Sequence, residues 1–307
     1  MKIVSARHCP LCSGPPQKSA FPYGTLYNGT EFLYYRCASC GCTYVSPIPS
    51  RADFERMYSR ENYHDCHYHE VRVGGQYAES VKYLKRHGSG RRLLLDFGCG
   101  NGSFIIAASN EGFECAGVEF EPSAIANARE KSGLPVTSLE AALCSDRRFE
   151  VVHLGDVLEH LPDPLGTIRT LHSLLVPDGL FFIEGPLENH RSLVFLVARG
   201  QKAIRRAMGD RAVGATAPTH LFRVNARNQK SFFTDRLAFD CVAFDIYETG
   251  WPYLATWRSH KSPSTFLKAG IAFVAISLSN ICRLGQSRIF GNRFRALFKT
   301  GNAAVEP

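Results

Sequence analysis

Through the middle of the chain, short strand-like runs alternate with longer stretches in which apolar residues return every three or four positions. The runs are Arg92–Phe97, Glu114–Phe120, Pro135–Ser138, Glu150–Gly155 and Leu180–Glu184. The periodic stretches are Ser103–Glu111, Ser123–Lys131 and Pro164–Leu175. Runs of this length bounded by Gly or Pro read as buried strands, and the periodic stretches read as helices. Strand and helix taking turns predict an α/β domain, a parallel sheet with helices on both faces. Gly112 is placed to stop the first helix and Pro122 to open the second. Pro177-Asp178-Gly179 reads as a turn before the fifth strand. A helix over Asn225–Arg236 and a sixth strand over Cys241–Tyr247 follow.

The first fifty residues are patterned differently. Phe32–Arg36 and Thr43–Val45 read as short strands, and two C-x2-C knuckles, Cys9/Cys12 and Cys37/Cys40, surround them. Four thiolates in two such pairs suit a tetrahedral Zn²⁺ with no open position, hence a structural zinc ribbon. So small a unit buries little apolar area, and the metal would supply its stability. Cys42 and His8 stand nearby and are expected to be spectators. Pro47-Ile48-Pro49 closes the ribbon. Ser50 and Asp53 then open a helix over Ala52–Arg60, and a second covers Tyr77–His87. Between these helices, Tyr58, Tyr63, His64, Cys66, His67, Tyr68 and His69 lack the spacing of a metal site and are expected to form a loop at a substrate entrance.

The densest chemistry lies where the first strand ends. Asp96-Phe97-Gly98-Cys99-Gly100-Asn101-Gly102 has the form D-x-G-x-G-x-G, and the sixth place from Gly98 is Ser103, so the dinucleotide fingerprint is not met. An acid, Glu119, stands at the end of the next run, where a carboxylate takes the two hydroxyls of a ribose. The loop resembles motif I of the class I S-adenosylmethionine (SAM) methyltransferases. Phe149–Val152, Asp156–Pro164 and Pro177–Leu180 extend the likeness. Within that family the closest resemblance is to bacterial members in which a four-Cys ribbon precedes the SAM domain, through Pro47-Ile48-Pro49 and a late His220-Leu221-Phe222; residues 187–216 and 250–285 match poorly.

The resemblance implies a Rossmann-like, doubly wound, mostly parallel seven-stranded sheet whose last strand, Arg293–Phe298, is antiparallel. It implies a zinc-ribbon domain (1–50), a helical, substrate-side linker (51–90) and a methyltransferase domain (91–307) with a cover or insert at 187–236. It assigns SAM to Asp96, Gly98, Cys99, Gly100, Gly102, Glu119, Phe120, Glu140 and Asp156.

The SAM sulfonium already activates its methyl group, so the protein's task is to align the acceptor and take a proton where one must leave. At spacing i, i+3, i+4, Asp156, Glu159 and His160 would share one face of a helical turn. His160 has the right unperturbed pKa for a base, with Glu159 to orient it. His220 is a second catalytic candidate, and His153, inside an apolar strand, is expected to be a satisfied core residue. Two mechanisms stay open. One resembles the zinc-containing sugar C-methyltransferases, with His160 or Glu159 as base and a sugar or glycan precursor as acceptor. The other resembles the quinol O-methyltransferases, with Asp156, Glu159 and His160 holding a divalent ion such as Mg²⁺. A SAM-fold binding protein without turnover is the reading from another class. Nucleic acid is not expected as a substrate, because Gly155-Asp156-Val157-Leu158 stands where base methyltransferases carry an Asn-Pro-Pro-Tyr type of motif.

Composition adjusts this picture at its edges. The 307 residues, 45% hydrophobic and 21% charged, suffice for a large domain and a small one. No long apolar run opens the chain, so no secretory signal is expected. Eleven cysteines then suit a reducing, cytoplasmic setting. The net charge of +8 is uneven: from residue 186 onward there are 18 Lys/Arg against 7 Asp/Glu. Leu193–Ala198 runs into Arg199, Lys202, Arg205, Arg206 and Arg211, a basic amphipathic helix over 193–211 that suits either a cover over the active site or peripheral contact with the inner face of a membrane. Phe266–Leu284 is apolar, but Lys268, Asn280 and Arg283 interrupt it, and a helix packed on the sheet is expected rather than a span.

Overall fold

The computed structural model describes residues 6–58, 77–209, 216–249, 263–284 and 290–301. The chain divides into two compact units. One gathers residues 1–50, 186–230 and 245–294, and the other residues 51–185, 231–244 and 295–307.

The first unit is built on a four-stranded sheet in the order β1 (Pro16–Tyr27), β2 (Thr30–Cys37), β3 (Thr43–Ser46) and β9 (Phe222–Arg223). The β2 and β3 strands coincide with the two expected from sequence. The sequence reading did not find β1, because two prolines and a bulge with Tyr23 at φ 72° break its alternation. It also missed β9, a two-residue strand that pairs antiparallel with β3 (Tyr44 opposite Phe222). In the same unit, α7 (Leu193–Ala207) packs against α9 (Pro263–Leu284) through Val194, Ala272 and Ala275. Small residues on α9 let α7 approach closely. Among the described residues no helix is long and apolar enough to cross a membrane.

The second unit carries the α/β core. Its strands are β4 (Leu93–Phe97), β5 (Glu114–Val118), β6 (Val136–Thr137), β7 (Phe149–Gly155) and β8 (Leu175–Pro186), with β10 (Asp240–Tyr247) and β11 (Arg293–Lys299) completing a seven-stranded sheet. The order is β10-β11-β8-β7-β4-β5-β6; the sheet is mostly parallel, and the last strand runs antiparallel. This is the Rossmann-like architecture expected from sequence. Strand order reverses beside β4, and ligands of such sheets collect at the carboxyl ends there.

The helices follow from the caps. Within α4 (Pro122–Ser132), Pro122 sits in the first turn, the Glu121 side chain accepts from Ala124 N, and Gly133 ends the helix at φ 67°. Asp163 caps α6 (Pro164–His172) in the same way. Apolar faces of α2 (Ala78–His87) and α3 (Ser103–Asn110) close on one side of the sheet, where Val81, Leu84, Phe104, Ile105, Leu94, Val151 and Phe182 form a continuous core.

Three local features depart from expectation. Pro177-Asp178-Gly179 does not separate a helix from a strand; it is a bulge inside β8, with Asp178 at φ 61° and a register shift against β7. A short helix, α5 (Leu139–Leu143), capped by the Ser138 hydroxyl, stands where the sequence reading assigned no element. Asn225–Arg236 splits into α8 (Ala226–Ser231) and a wider turn over Phe232–Arg236. The helix expected to open after Ser50 is α1 (Arg51–Met57), with Asp53 in its first turn. The His-rich segment after Tyr58 lies outside the described residues.

Candidate active site

The glycine loop leaves β4 at its carboxyl end and enters α3. Gly102 caps α3 in the left-handed region at φ 80°, and Gly98 stands at φ 73° with room for no side chain, since a Cβ there would lie 2.7 Å from Val157 Cγ2. Those two positions fix why the motif needs glycine. The loop turns toward β5. Gly98 N and Cys99 N both donate to Val118 O. Gly100 N donates to Glu119 Oε2 at 2.8 Å, and Phe120 N donates to Glu119 Oε1 at 2.8 Å.

Glu119 is therefore a buried carboxylate held across the loop by two backbone donors. Burial raises its pKa, while the Phe120 and Gly100 N–H groups oppose that shift. A carboxylate has about four acceptor sites, and two are used here. The others suit the two hydroxyls of a ribose, so the arrangement fits the nucleoside that the sequence implied. Phe120, next in the chain, is 58% exposed, its ring edge-on to Phe97 at 5.3 Å. Cys99 is buried, and its thiol is pushed up by burial, with Asp96 and Glu119 adding to it. Glu140 is exposed in the first turn of α5, its carboxylate held low by the helix-start N–H and the Ser138 hydroxyl.

Asp96 belongs to a buried network. Register places it beside His153 on β7, and its Oδ1 accepts from His153 Nδ1 at 2.7 Å. His153 Nε2 lies 3.3 Å from Glu184 Oε2, and Ser80 Oγ donates to Glu184 Oε1 at 2.7 Å. Phe104 stacks on the imidazole, ring centroids 3.7 Å apart. His153 is thus the satisfied core residue expected, and more: a buried cation between two carboxylates under the glycine loop. Burial alone would lower its pKa, but Asp96 and Glu184 raise it to about 9.

Because that value lies above the unfolded imidazole's, the stabilisation is complete below pH 6.5 and disappears as pH rises through 9. The difference corresponds to about 3 kcal/mol. Urea unfolding between pH 6 and pH 10 should show wild type losing more stability than His153→Gln. Equal slopes in the two proteins would mean that His153 is neutral throughout.

Asp156, Glu159 and His160 do not form the expected helical face. Asp156 adopts φ 55° in the left-handed region, and a tight 3₁₀ turn begins only at Leu158 and ends at His160. A 3₁₀ turn has three residues per turn, so the i, i+3, i+4 stripe of an α-helix is lost. Among the described residues, Asp156 joins no cluster of metal-type donors within 4.8 Å. Glu159 is buried, and one of its oxygens lies 3.9 Å from His160 Nε2. His160 Nδ1 lies 3.0 Å from Tyr58 Oη. Glu159 and His160 do make the expected pair, and Tyr58 is a third member that spacing alone could not place.

In the first unit the four cysteines converge. Cys9 and Cys40 sulfurs are 3.7 Å apart, Cys12 and Cys37 sulfurs 3.5 Å, and all four lie within 4.8 Å of one another. A tetrahedron with Zn–S bonds of about 2.3 Å has edges of about 3.8 Å, so the donor set fits zinc. Cys40 N points at Cys37 Sγ at 3.5 Å, and Gly41 turns the second knuckle at φ 75°. His8 is engaged elsewhere, its Nδ1 2.9 Å from Ser13 O. His220 sits in the same unit, its Nδ1 2.9 Å from Glu188 Oε2. The sequence reading did not single out Glu188.

The class follows from comparison with known proteins. The sequence profile of the family described as "Methyltransferase domain" matches residues 68–248. This chain belongs to the methyltransferase-domain family. A ubiquinone biosynthesis O-methyltransferase of Actinobacillus pleuropneumoniae serotype 7 is 34% identical over 116 residues, covering 33% of this chain and 50% of that protein. The protein of the same name from Pseudomonas aeruginosa (strain LESB58) is 31% identical over 121 residues, covering 37% and 52%. The chain spans about half the length of the curated relatives it matches. Among solved structures, magnesium protoporphyrin IX methyltransferase from Synechocystis PCC 6803 with bound SAH superposes with a TM-score of 0.50 at 13% identity, covering 82% of this chain and 100% of that one. At such identity the likeness establishes the fold alone.

Proposed function

We propose that this chain is a SAM-dependent methyltransferase acting on a small hydroxyl-bearing molecule, a sugar or glycan precursor. The observation that carries the reading is Glu119, a buried carboxylate clamped to the glycine loop with half of its acceptor capacity left for a diol. Bound SAM would supply an activated methyl group. The chain's own residues would seat its ribose on Glu119 and its adenine beside the exposed Phe120, with Asp96 fixed by His153 at the methionine side. His160 would take or hold the acceptor's proton, with Glu159 and Tyr58 setting its ring. The four-thiolate centre would hold a structural zinc.

A second reading, a quinol O-methyltransferase, is favoured by the names of the two curated relatives. The divalent ion once attached to that reading has no support in the placement of Asp156. Calorimetry with SAM tests cofactor binding. Transfer of labelled methyl to nucleotide sugars, and in parallel to catechol-type quinols, tests the acceptor. Label in the sugar fraction is expected; label in the quinols alone would move the assignment to the second reading. Full turnover by His160→Ala would leave that residue only a packing role.

A further inference from the structure

Helix α9 is built inside out. Its inward stripe is Ala272, Ala275 and Ser279, all buried, and the Ser279 hydroxyl donates to Phe290 O at 3.2 Å. Its large apolar residues point the other way. Phe273 is 72% exposed and Ile281 63%, and Val274 and Leu278 are exposed beside them. These four share one stripe of the 3.6-residue period, and such a stripe ordinarily covers a core. Here small residues take the core side, and the large ones are left outward over about 12 Å of helix.

Helix α7, packed against α9 in the same unit, adds a second apolar stripe. Leu196 and Ile204 are exposed on it, and so is Met208, one residue past its end. Intervals of eight and four residues keep these three on one side of a helix. The charge on both helices is of one sign. α7 contains Arg199, Lys202, Arg205 and Arg206, α9 contains Lys268 and Arg283, and neither contains Asp or Glu. Arg199 is engaged inward, donating to the Glu188 carbonyl oxygen. The helical period groups positions 202, 205 and 206 together and sets them apart from the Leu196, Ile204 and Met208 stripe.

This combination defines what covers the face. A second copy of the chain would bring two cationic helix pairs together about a two-fold axis, which like charge opposes. The surface of an anionic bilayer meets both demands, since its acyl boundary takes the apolar side chains and its headgroups take Lys and Arg. We propose that α7 and α9 seat this chain on an anionic lipid surface, with Phe273, Val274, Leu278 and Ile281 entering the acyl boundary and the cations of α7 meeting the headgroups. The helices lie in the interface and do not cross it; among the described residues none is long and apolar enough to span a membrane. The inference stands apart from the methyltransferase reading, because it uses no residue assigned to SAM or to the acceptor.

The test is co-sedimentation of the full zinc-loaded chain with vesicles of phosphatidylcholine, alone or mixed with phosphatidylglycerol. Wild type should bind the mixed vesicles about tenfold or more tightly than the neutral ones, and high salt should remove the difference. Phe273→Ser/Ile281→Ser should weaken binding to both kinds of vesicle about tenfold or more. Both side chains are exposed, so this variant should keep the circular dichroism and zinc content of wild type. Lys202→Gln/Arg205→Gln/Arg206→Gln should lose most of the preference for phosphatidylglycerol. No vesicle binding by wild type, or equal binding to the two lipid mixtures, would overturn the proposal. Unchanged binding by the serine variant would remove α9 from it, and full preference in the glutamine variant would remove α7. Light scattering tests the other occupant: a wild-type dimer that becomes a monomer in the serine variant would give the face to a second copy and overturn the lipid assignment.

Discussion

Glu119→Ala should bind SAM at least a hundredfold more weakly than wild type. A hydrogen bond to a charged acceptor contributes roughly 1.5–3 kcal/mol, and the truncation removes two of them, so a loss of two to four powers of ten is the range to expect. The structure adds a second cost. The same carboxylate holds Gly100 N at 2.8 Å, so alanine also releases the loop from β5. Glu119→Gln separates the two effects, because one amide oxygen can still accept from the loop while the charge is gone; its loss should fall between wild type and alanine. Burial raises the Glu119 pKa, so affinity should also weaken as pH falls toward the carboxyl range, a trend absent from the glutamine variant. Isothermal calorimetry measures all three proteins, and unchanged affinity in Glu119→Ala would remove the ribose assignment.

Cys9→Ser should lose zinc outright and the ribbon unit's fold with it. Structural zinc in small ribbons and fingers is worth about 10–16 kcal/mol of apparent folding energy at neutral pH, comparable to the entire stability of an ordinary domain. Cys9 is buried, its sulfur 3.7 Å from that of Cys40, and its backbone N–H closes the first knuckle on Gly14 O at 2.9 Å. A serine oxygen at that position is a poor ligand for a borderline-soft ion. Metal analysis of purified protein should give one zinc per wild-type chain and none in the variant. The variant should also show protease cleavage within the first fifty residues that wild type resists. Stoichiometric zinc in Cys9→Ser would contradict the four-thiolate centre.

Much of the second unit was legible in the sequence because its signals are local. Glycines, prolines and caps stand where helices α3, α4 and α6 begin and end, and five strands fall within a few residues of their expected places. The knuckles were legible for the same reason. What was hidden depends on pairing at a distance. The β9 strand is two residues long and exists only because β3 is there to receive it. Tyr58 reaches His160 across 102 positions of sequence, and Glu188 reaches His220 across 32. The Asp156 backbone could not be read either: a left-handed aspartate after a strand is set by the β8 strand alongside, where Asp156 N donates to Glu184 O.

The first unit is drawn from three separated lengths of chain, and β3 meets β9 only after some 180 residues have intervened (Thr43 opposite Arg223). On the ribosome its opening segment must therefore wait. At about 5–20 residues per second, tens of seconds pass between emergence of the cysteine knuckles and arrival of the stretch up to residue 294 that finishes the unit. The four thiols that could hold a metal all lie within the first forty residues and are available before this. The central sheet waits as well, for β10 and for β11 near the end of the chain, and a chain terminated prematurely after residue 185 would leave the N-terminal strands without their last partner.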